Sequence, residues 1–260
     1  MENKAVILEI VESTAIITFN RPERYNAVNH DLIEGINYVF SVIKNDDNIR
    51  AVVLTGNGKG FCAGADLTTM GTLSAEDSRD YIIDNYKPIL NNFLNLRKPI
   101  IGAINGTAAG LGAAFALACD FRVMSKESAL LYAFINIGLG PDGGASWLLS
   151  RQVGYSKALE IATGGKRVMG EECFKLGLTN KLVESDEILS VAKNWAIDLS
   201  KKPTIGIGIT KQDMIFSLNN DLLDTIEYEA KEQVAAFHSE DLKEGVSAFL
   251  EKRKANFKGK

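Results

Sequence analysis

The stretch PIIGAINGTAAGLGAAFALACDFRVM, residues 99–124, decides the fold. Residues 99–104 are apolar on both faces of an extended chain, which suits a strand inside a layered sheet. Residues 106–112 carry three glycines and turn the chain. Residues 113–119 then read as a short, small-residue helix, and residues 121–124 as the next strand. Strand, glycine-rich turn, helix and strand again is the order of a parallel crossover. The same order recurs upstream, where residues 51–55 form a β-branched run followed by a glycine-rich loop over residues 56–64. Further out, residues 6–10 and 15–19 read as an opening hairpin. A helix starts near Asn29 or His30, because Leu32, Ile36, Val39, Phe40 and Ile43 repeat at spacings of three and four. A second helix is expected over residues 80–96. From residue 146 onward the pattern is mostly helical, with a long amphipathic helix over 225–237, a polar break at 238–241, a short last helix and a basic tail. The fold class is α/β.

Composition limits what such a chain can do. Its 260 residues, 46% apolar and 24% charged, can bury a sizeable core. A formal charge of −4 with no long basic block argues against a nucleic-acid partner. Cys62, Cys119 and Cys173 have neither CxxC spacing nor the density of a disulfide scaffold, so they are expected to be thiols in a reducing compartment. The opening MENKAVILEIVES lacks the apolar run of a signal peptide, and the most apolar stretch is broken by glycines, Asn105 and Asp120. A soluble cytoplasmic protein, with no membrane partner, is the expectation.

Three segments carry candidate chemistry. GNGKGFCAGADL, residues 56–67, follows a strand, and its glycines let backbone N–H groups converge on an anion or a developing oxyanion. A tight turn with Asp66 as helix cap fits it equally well. INGTAAGLGAAFALACD, residues 104–120, brings glycines to a helix start, where free N–H groups favour negative charge; close helix packing is the alternative. IGLGPDGGASW, residues 137–147, displays Asp142 among apolar neighbours, as a general base with raised pKa or as a turn or cap residue. His30 and His238 suit cap or surface positions, Asp120 suits a structural acceptor, and no residue spacing implies a metal.

Taken together, RPERYNAV (21–28), FCAGADL (61–67), residues 104–120, IGLGPDGG (137–144) and EGVSAFLEKR (244–253) resemble the crotonase family, also called the enoyl-CoA hydratase/isomerase superfamily. The resemblance runs over nearly the whole chain. It implies a crotonase-like core of repeated ββα units over residues 1–200, and a helical carboxy-terminal region over 201–260 for active-site cover and oligomerisation. The assembly it implies is a homotrimer or a dimer of trimers. It also implies an acyl-CoA thioester as partner, with coenzyme A as part of the substrate and no prosthetic group. The oxyanion amides would be those of Ala65 and Leu111, the leucine side chain turning away. Coenzyme A would lie near Arg24, Ala27 and Val28, and near Lys59, Ala63, Ala65, Asp66 and Leu67, with Lys252 and Arg253 of the tail near its phosphates. Phe134, Ile137 and Trp147 are candidate pocket walls, and Tyr81 and Tyr86 a candidate acyl-end cover.

The departures from the family pattern matter most. Hydratases of the family use two glutamates, and the matching positions here are Ala114 and Phe134, neither of which transfers a proton. Asp142 matches an acidic position found in a subset resembling the isomerases of phenylacetyl-CoA catabolism. The expected activity is therefore an acyl-CoA isomerase that moves a double bond from the 3- to the 2-position with Asp142 as proton shuttle. A hydratase with atypical residues, a 1,2-epoxyphenylacetyl-CoA isomerase, a decarboxylase and a non-catalytic acyl-CoA binder are the alternatives.

Overall fold

The computed structural model describes residues 4–71 and 73–260; the first three residues of the opening stretch lie outside them. Strands β1 (Val6–Val11) and β2 (Thr14–Phe19) form the expected hairpin. β2 then pairs in parallel with β3 (Ala51–Gly56), β3 with β5 (Ile100–Ile104), β5 with β7 (Phe121–Met124) and β7 with β10 (Lys181–Leu182). β3 and β5 sit at the centre of this six-stranded sheet and are buried at every residue, which explains their uninterrupted apolar character.

A second, four-stranded sheet was not legible in the sequence. It consists of β4 (Gly60–Cys62), β6 (Thr107–Ala109), β8 (Ala129–Leu131) and β9 (Arg167–Met169), in that order. Both glycine-rich segments read as loops or turns therefore contain a strand. Each repeat places one strand in the large sheet, the next in the small sheet, and then a helix. β3, β4 and α2 (Leu67–Met70) form one such ββα unit, and β5, β6 and α5 (Leu111–Ala118) another. β7 and β8 lead through a 3-10 turn, Ala133–Ile137, to α6 (Ala145–Val153).

Helix α1 (His30–Asn45) begins where expected, capped by the Asn29 side chain, which accepts from Leu32 N at 3.1 Å. The helix expected over 80–96 is three pieces: α3 (Ala75–Tyr81), a π-helical turn (Ile82–Tyr86) and α4 (Lys87–Asn95). An aromatic run ties α1, α4, α5 and the sheet together. Phe40 meets Phe93 at 4.8 Å, Phe93 stacks on Phe115 at 5.7 Å, and Phe115 meets Phe19 at 6.0 Å. The remaining helices are α7 (Tyr155–Gly164), α8 (Gly170–Lys175), α9 (Ile188–Ser200), α10 (Thr204–Ser217), α11 (Leu222–His238) and α12 (Glu240–Glu251). The break between the last two is the single residue Ser239, whose hydroxyl caps α12. None of the helices among the described residues is long and apolar enough to cross a membrane.

Candidate active site

Both glycine segments end at the same edge of the molecule because each follows a central strand of the parallel sheet. A shared backbone zipper joins the first of them to residues 24–28. Ala63 N donates to Tyr25 O (2.9 Å), Val28 N to Gly64 O (2.7 Å) and Asp66 N to Val28 O (3.0 Å). Asn26, fully buried with φ 58°, holds the corner. Its Nδ2 donates to the carbonyls of Asn57, Gly60 and Phe61, and its Oδ1 accepts from Arg21 N. Arg21 adds an ion pair to Asp66 at 3.3 Å and donates to Ala27 O.

These bonds gather Ala27, Val28, Ala63, Ala65 and Asp66, with Arg24, Lys59 and Leu67 exposed at the rim. Asp66 also caps α2, as the plainer reading anticipated: its Oδ1 accepts from Thr68 N and Thr68 Oγ1. Those bonds, Thr68 Oγ1 foremost, and Arg21 hold its pKa below the usual aspartate value. Lys252 is not brought to the cluster. The tail beyond it runs along the opposite end of the sheet, where Arg50, just before β3, donates to Phe257 O at 3.0 Å. Arg253 is occupied by Glu244 and Glu251.

The second glycine segment meets the first at Gly64. A Cβ there would lie 2.6 Å from Ala109 O and 3.2 Å from Leu111 N, and φ is +89°, so only glycine lets the two loops touch. Gly112 makes a similar close approach, with Cys62 O 2.2 Å from where its Cβ would stand. The amide of Ala65 follows one contact and that of Leu111 opens α5. Among the described residues neither N–H is given to a backbone acceptor. Two unspent donors on adjoining loops are what an oxyanion hole requires.

Asp142 occupies the third corner. Its backbone carbonyl accepts from Ala145 N at 2.9 Å, but α6 is capped by Gly144 and takes no side-chain bond. The Asp142 carboxylate is therefore not a cap. Its Oδ1 is buried with no hydrogen-bond partner among the described residues. Burial pushes its pKa up to about 6. Next to it, the Leu111 side chain is buried and rests on Gly143. Tyr86 is fully buried behind the same glycine, its ring packed edge-on to Tyr81 at 5.6 Å. Ala114 and Phe134 are buried and apolar, and Phe134 lies against Gly110.

Of the other expected walls, Trp147 lines a cavity of about 520 Å³ beside Pro141, with the Arg151 guanidinium 4.1 Å from the centre of its ring. Ile137 is exposed. Cys62, Cys119 and Cys173 are buried free thiols, and burial raises Cys62 to about 12, which leaves it unreactive. Asp120 is a structural acceptor, taking Ile100 N at 2.8 Å and Lys211 Nζ at 2.9 Å. Sequence reading missed Asn26, Arg21 and the seat of Leu111 on Gly143. For Asn26 a faint signal existed, an asparagine among residues breaking the periodicity before α1, where left-handed backbone is common.

Known proteins give a consistent context. The chain is 34% identical over 258 residues to the 1,2-epoxyphenylacetyl-CoA isomerase of Escherichia coli K12, covering 98% of each sequence. It is 33% identical over 255 residues to the short-chain-enoyl-CoA hydratase of Clostridium acetobutylicum, covering 98% of this chain and 97% of that one. Among solved structures, the enoyl-CoA hydratase of Bacillus anthracis superposes with a TM-score of 0.93 at 28% identity, over 98% of this chain and 100% of that one. The sequence model described as Enoyl-CoA hydratase/isomerase matches residues 9–260. With the ββα repeats, the paired amides and these likenesses in agreement, the chain belongs to the enoyl-CoA hydratase/isomerase family.

Proposed function

We propose that the protein isomerises an unsaturated acyl-CoA, moving the double bond from the 3- to the 2-position. The observation that carries this reading is the Asp142 carboxylate: half-buried, not used as a helix cap, and with one oxygen unpartnered. Its pKa of about 6 suits a group that must act first as base and then as acid. Asp142 removes a proton from C2 of the 3-enoyl thioester, and the electron pair delocalises into the thioester oxygen as a dienolate. The Ala65 and Leu111 amides stabilise that oxygen, each such donor typically contributing about 3 kcal/mol. The protonated Asp142 then delivers the proton to C4, the 2,3 double bond forms, and the carboxylate is regenerated. Atoms and charge balance with a single acid. Hydration would need an oriented water as well, and the positions that would orient it are Ala114 and Phe134.

In this reading the phosphates of coenzyme A lie near Arg24 and Lys59. Lys252 takes part only from a neighbouring subunit of a trimer, since its own tail runs at the far end of the sheet. A second reading, isomerisation of 1,2-epoxyphenylacetyl-CoA, is favoured by the E. coli relative and by the rings of Tyr86 and Phe134 near the two glycine turns. The test is product analysis with 3-enoyl-CoA thioesters in deuterated water. Conjugated 2-enoyl-CoA is expected from the wild type, with kcat/KM falling by about 10³-fold in Asp142→Asn. A hydroxyacyl product, or an Asp142→Asn variant as fast as wild type, overturns the proposal.

A further inference from the structure

The structure gives the Leu111 side chain a specific seat. A Cβ on Gly143 would lie 2.3 Å from Leu111 Cδ1, 3.8 Å from its Cγ and 4.0 Å from Tyr86 Cδ2. The other three glycines of the same turn, Gly138, Gly140 and Gly144, would meet nothing within 4 Å. The contact is thus confined to the residue after Asp142. Leu111 is 1% exposed, and Gly143 at φ +53° is a position that a side chain enters only with strain. One residue supplies an oxyanion amide from its backbone and grips the base-bearing turn with its side chain.

We propose that Leu111 is a positioning residue, its side chain seated on Gly143 and backed by Tyr86, which fixes the Asp142 turn relative to the two amides and keeps water off the carboxylate. This rests on the Asp142 shuttle proposed above. Proton transfer to a carbon needs the base held in register with the thioester, and a misplacement of about 1 Å costs on the order of 10²-fold. The groups facing Asp142 cannot substitute for the grip by charge. Tyr86 packs on its turn, with Tyr81 and Cys62 behind, and burial raises all three above their usual pKa values, so they are neutral at working pH.

The experiment compares Leu111→Ala, Leu111→Met, Gly143→Ala and Leu111→Ala/Gly143→Ala in the full-length protein, by pH-rate profiles of 3-enoyl-CoA isomerisation. Leu111→Ala is expected to lower kcat about 10- to 100-fold with KM little changed. It should also move the acidic limb of the kcat/KM profile to lower pH, because water then reaches Asp142. Leu111→Met should recover most of both. Gly143→Ala both crowds the leucine and strains a backbone at φ +53°, so its own loss of kcat does not isolate the contact; the double variant does, and should lose less than the two singles combined. If Leu111→Ala fails to fold, Leu111→Val, which keeps a branched apolar side chain but withdraws it from Gly143, carries the test, with the same loss of kcat and shift of the acidic limb expected and wild-type values for both overturning the inference. Wild-type kcat and an unmoved acidic limb in the Leu111 or Gly143 variants, in a protein that Asp142→Asn inactivates, overturn the inference and leave the shuttle intact. Activity surviving in Asp142→Asn overturns the shuttle, and the inference with it.

Discussion

A carboxylate with a buried, unpartnered oxygen carries a stability cost. Asp142 has a folded-state pKa of about 6, above its unfolded value, so the protonated form is favoured in the fold. The cost is absent below the unfolded pKa and grows as pH rises through the folded one. Asp142→Asn is therefore expected to stabilise the protein at pH 7.5 by about 1–2 kcal/mol, allowing for its partial exposure, and to leave stability near pH 4 unchanged. Urea melts at the two pH values check this; equal shifts at both would mean that the carboxylate is not desolvated. Asn26 is the opposite case. Asn26→Ala leaves the carbonyls of Gly60 and Phe61 buried without a donor and should cost about 3 kcal/mol or more. It should also raise KM for the thioester, because the corner that joins residues 24–28 to 59–67 loosens. The three loops that hold Ala65, Leu111 and Asp142 stood out in the sequence because each is a glycine-rich motif. Asn26 and Arg21 did not, since their work is done by bonds to residues about 30 to 45 positions away.

At the scale of elements, length decided what could be read. β2, β3 and β5 hold four to six apolar or β-branched residues and stand out, whereas β4, β6 and β8 are three residues long, too short for a period-two pattern to emerge from a glycine-rich background. The π-helical turn Ile82–Tyr86 was invisible for a related reason: its wider winding leaves composition unchanged, and Tyr86 at its end lies beside Gly143. The short strands are nonetheless sensitive to substitution, because α5 packs on their backbone. Gly112→Ala would set a methyl 2.2 Å from Cys62 O, a strand carbonyl that cannot swing aside. The expected cost is about 3 kcal/mol, at the upper end for overpacking. Because Gly112 adjoins Leu111, the residual activity should fall by more than the loss of folded protein accounts for. Active-site titration with a tight-binding thioester separates the two effects; specific activity equal to wild type per folded molecule would show that the start of α5 tolerates the shift.

For the whole molecule, the question is what holds the carboxy-terminal helices to the sheet, and no motif in residues 204–260 announced the answer. The amphipathic pattern gave α11 its length but not its partner. The fastening is a set of polar contacts spread over the chain. Lys211 of α10 donates to Asp120 (2.9 Å) and Phe93 O (2.8 Å), Gln212 to Leu94 O (2.9 Å), and Arg97 pairs with Glu232 at 2.6 Å. The Lys211–Asp120 pair is the most enclosed, with the lysine side chain 7% exposed. Burial raises the Asp120 pKa, with Lys211 opposing that rise. Lys211→Met should strand the aspartate and cost about 3 kcal/mol at neutral pH, the lower end for a broken buried pair because Asp120 keeps Ile100 N and some solvent. Without the lysine the folded-state pKa of Asp120 rises further above its unfolded value. The deficit is then largest at high pH and shrinks as acidification protonates the group. Adding Asp120→Asn should return part of the loss. Hydrogen exchange locates the damage: faster exchange is expected across α10 and α11, with β3 and β5 unchanged. Uniform acceleration through the central sheet would mean that the pair stabilises the whole fold and does not merely fasten the helices to it.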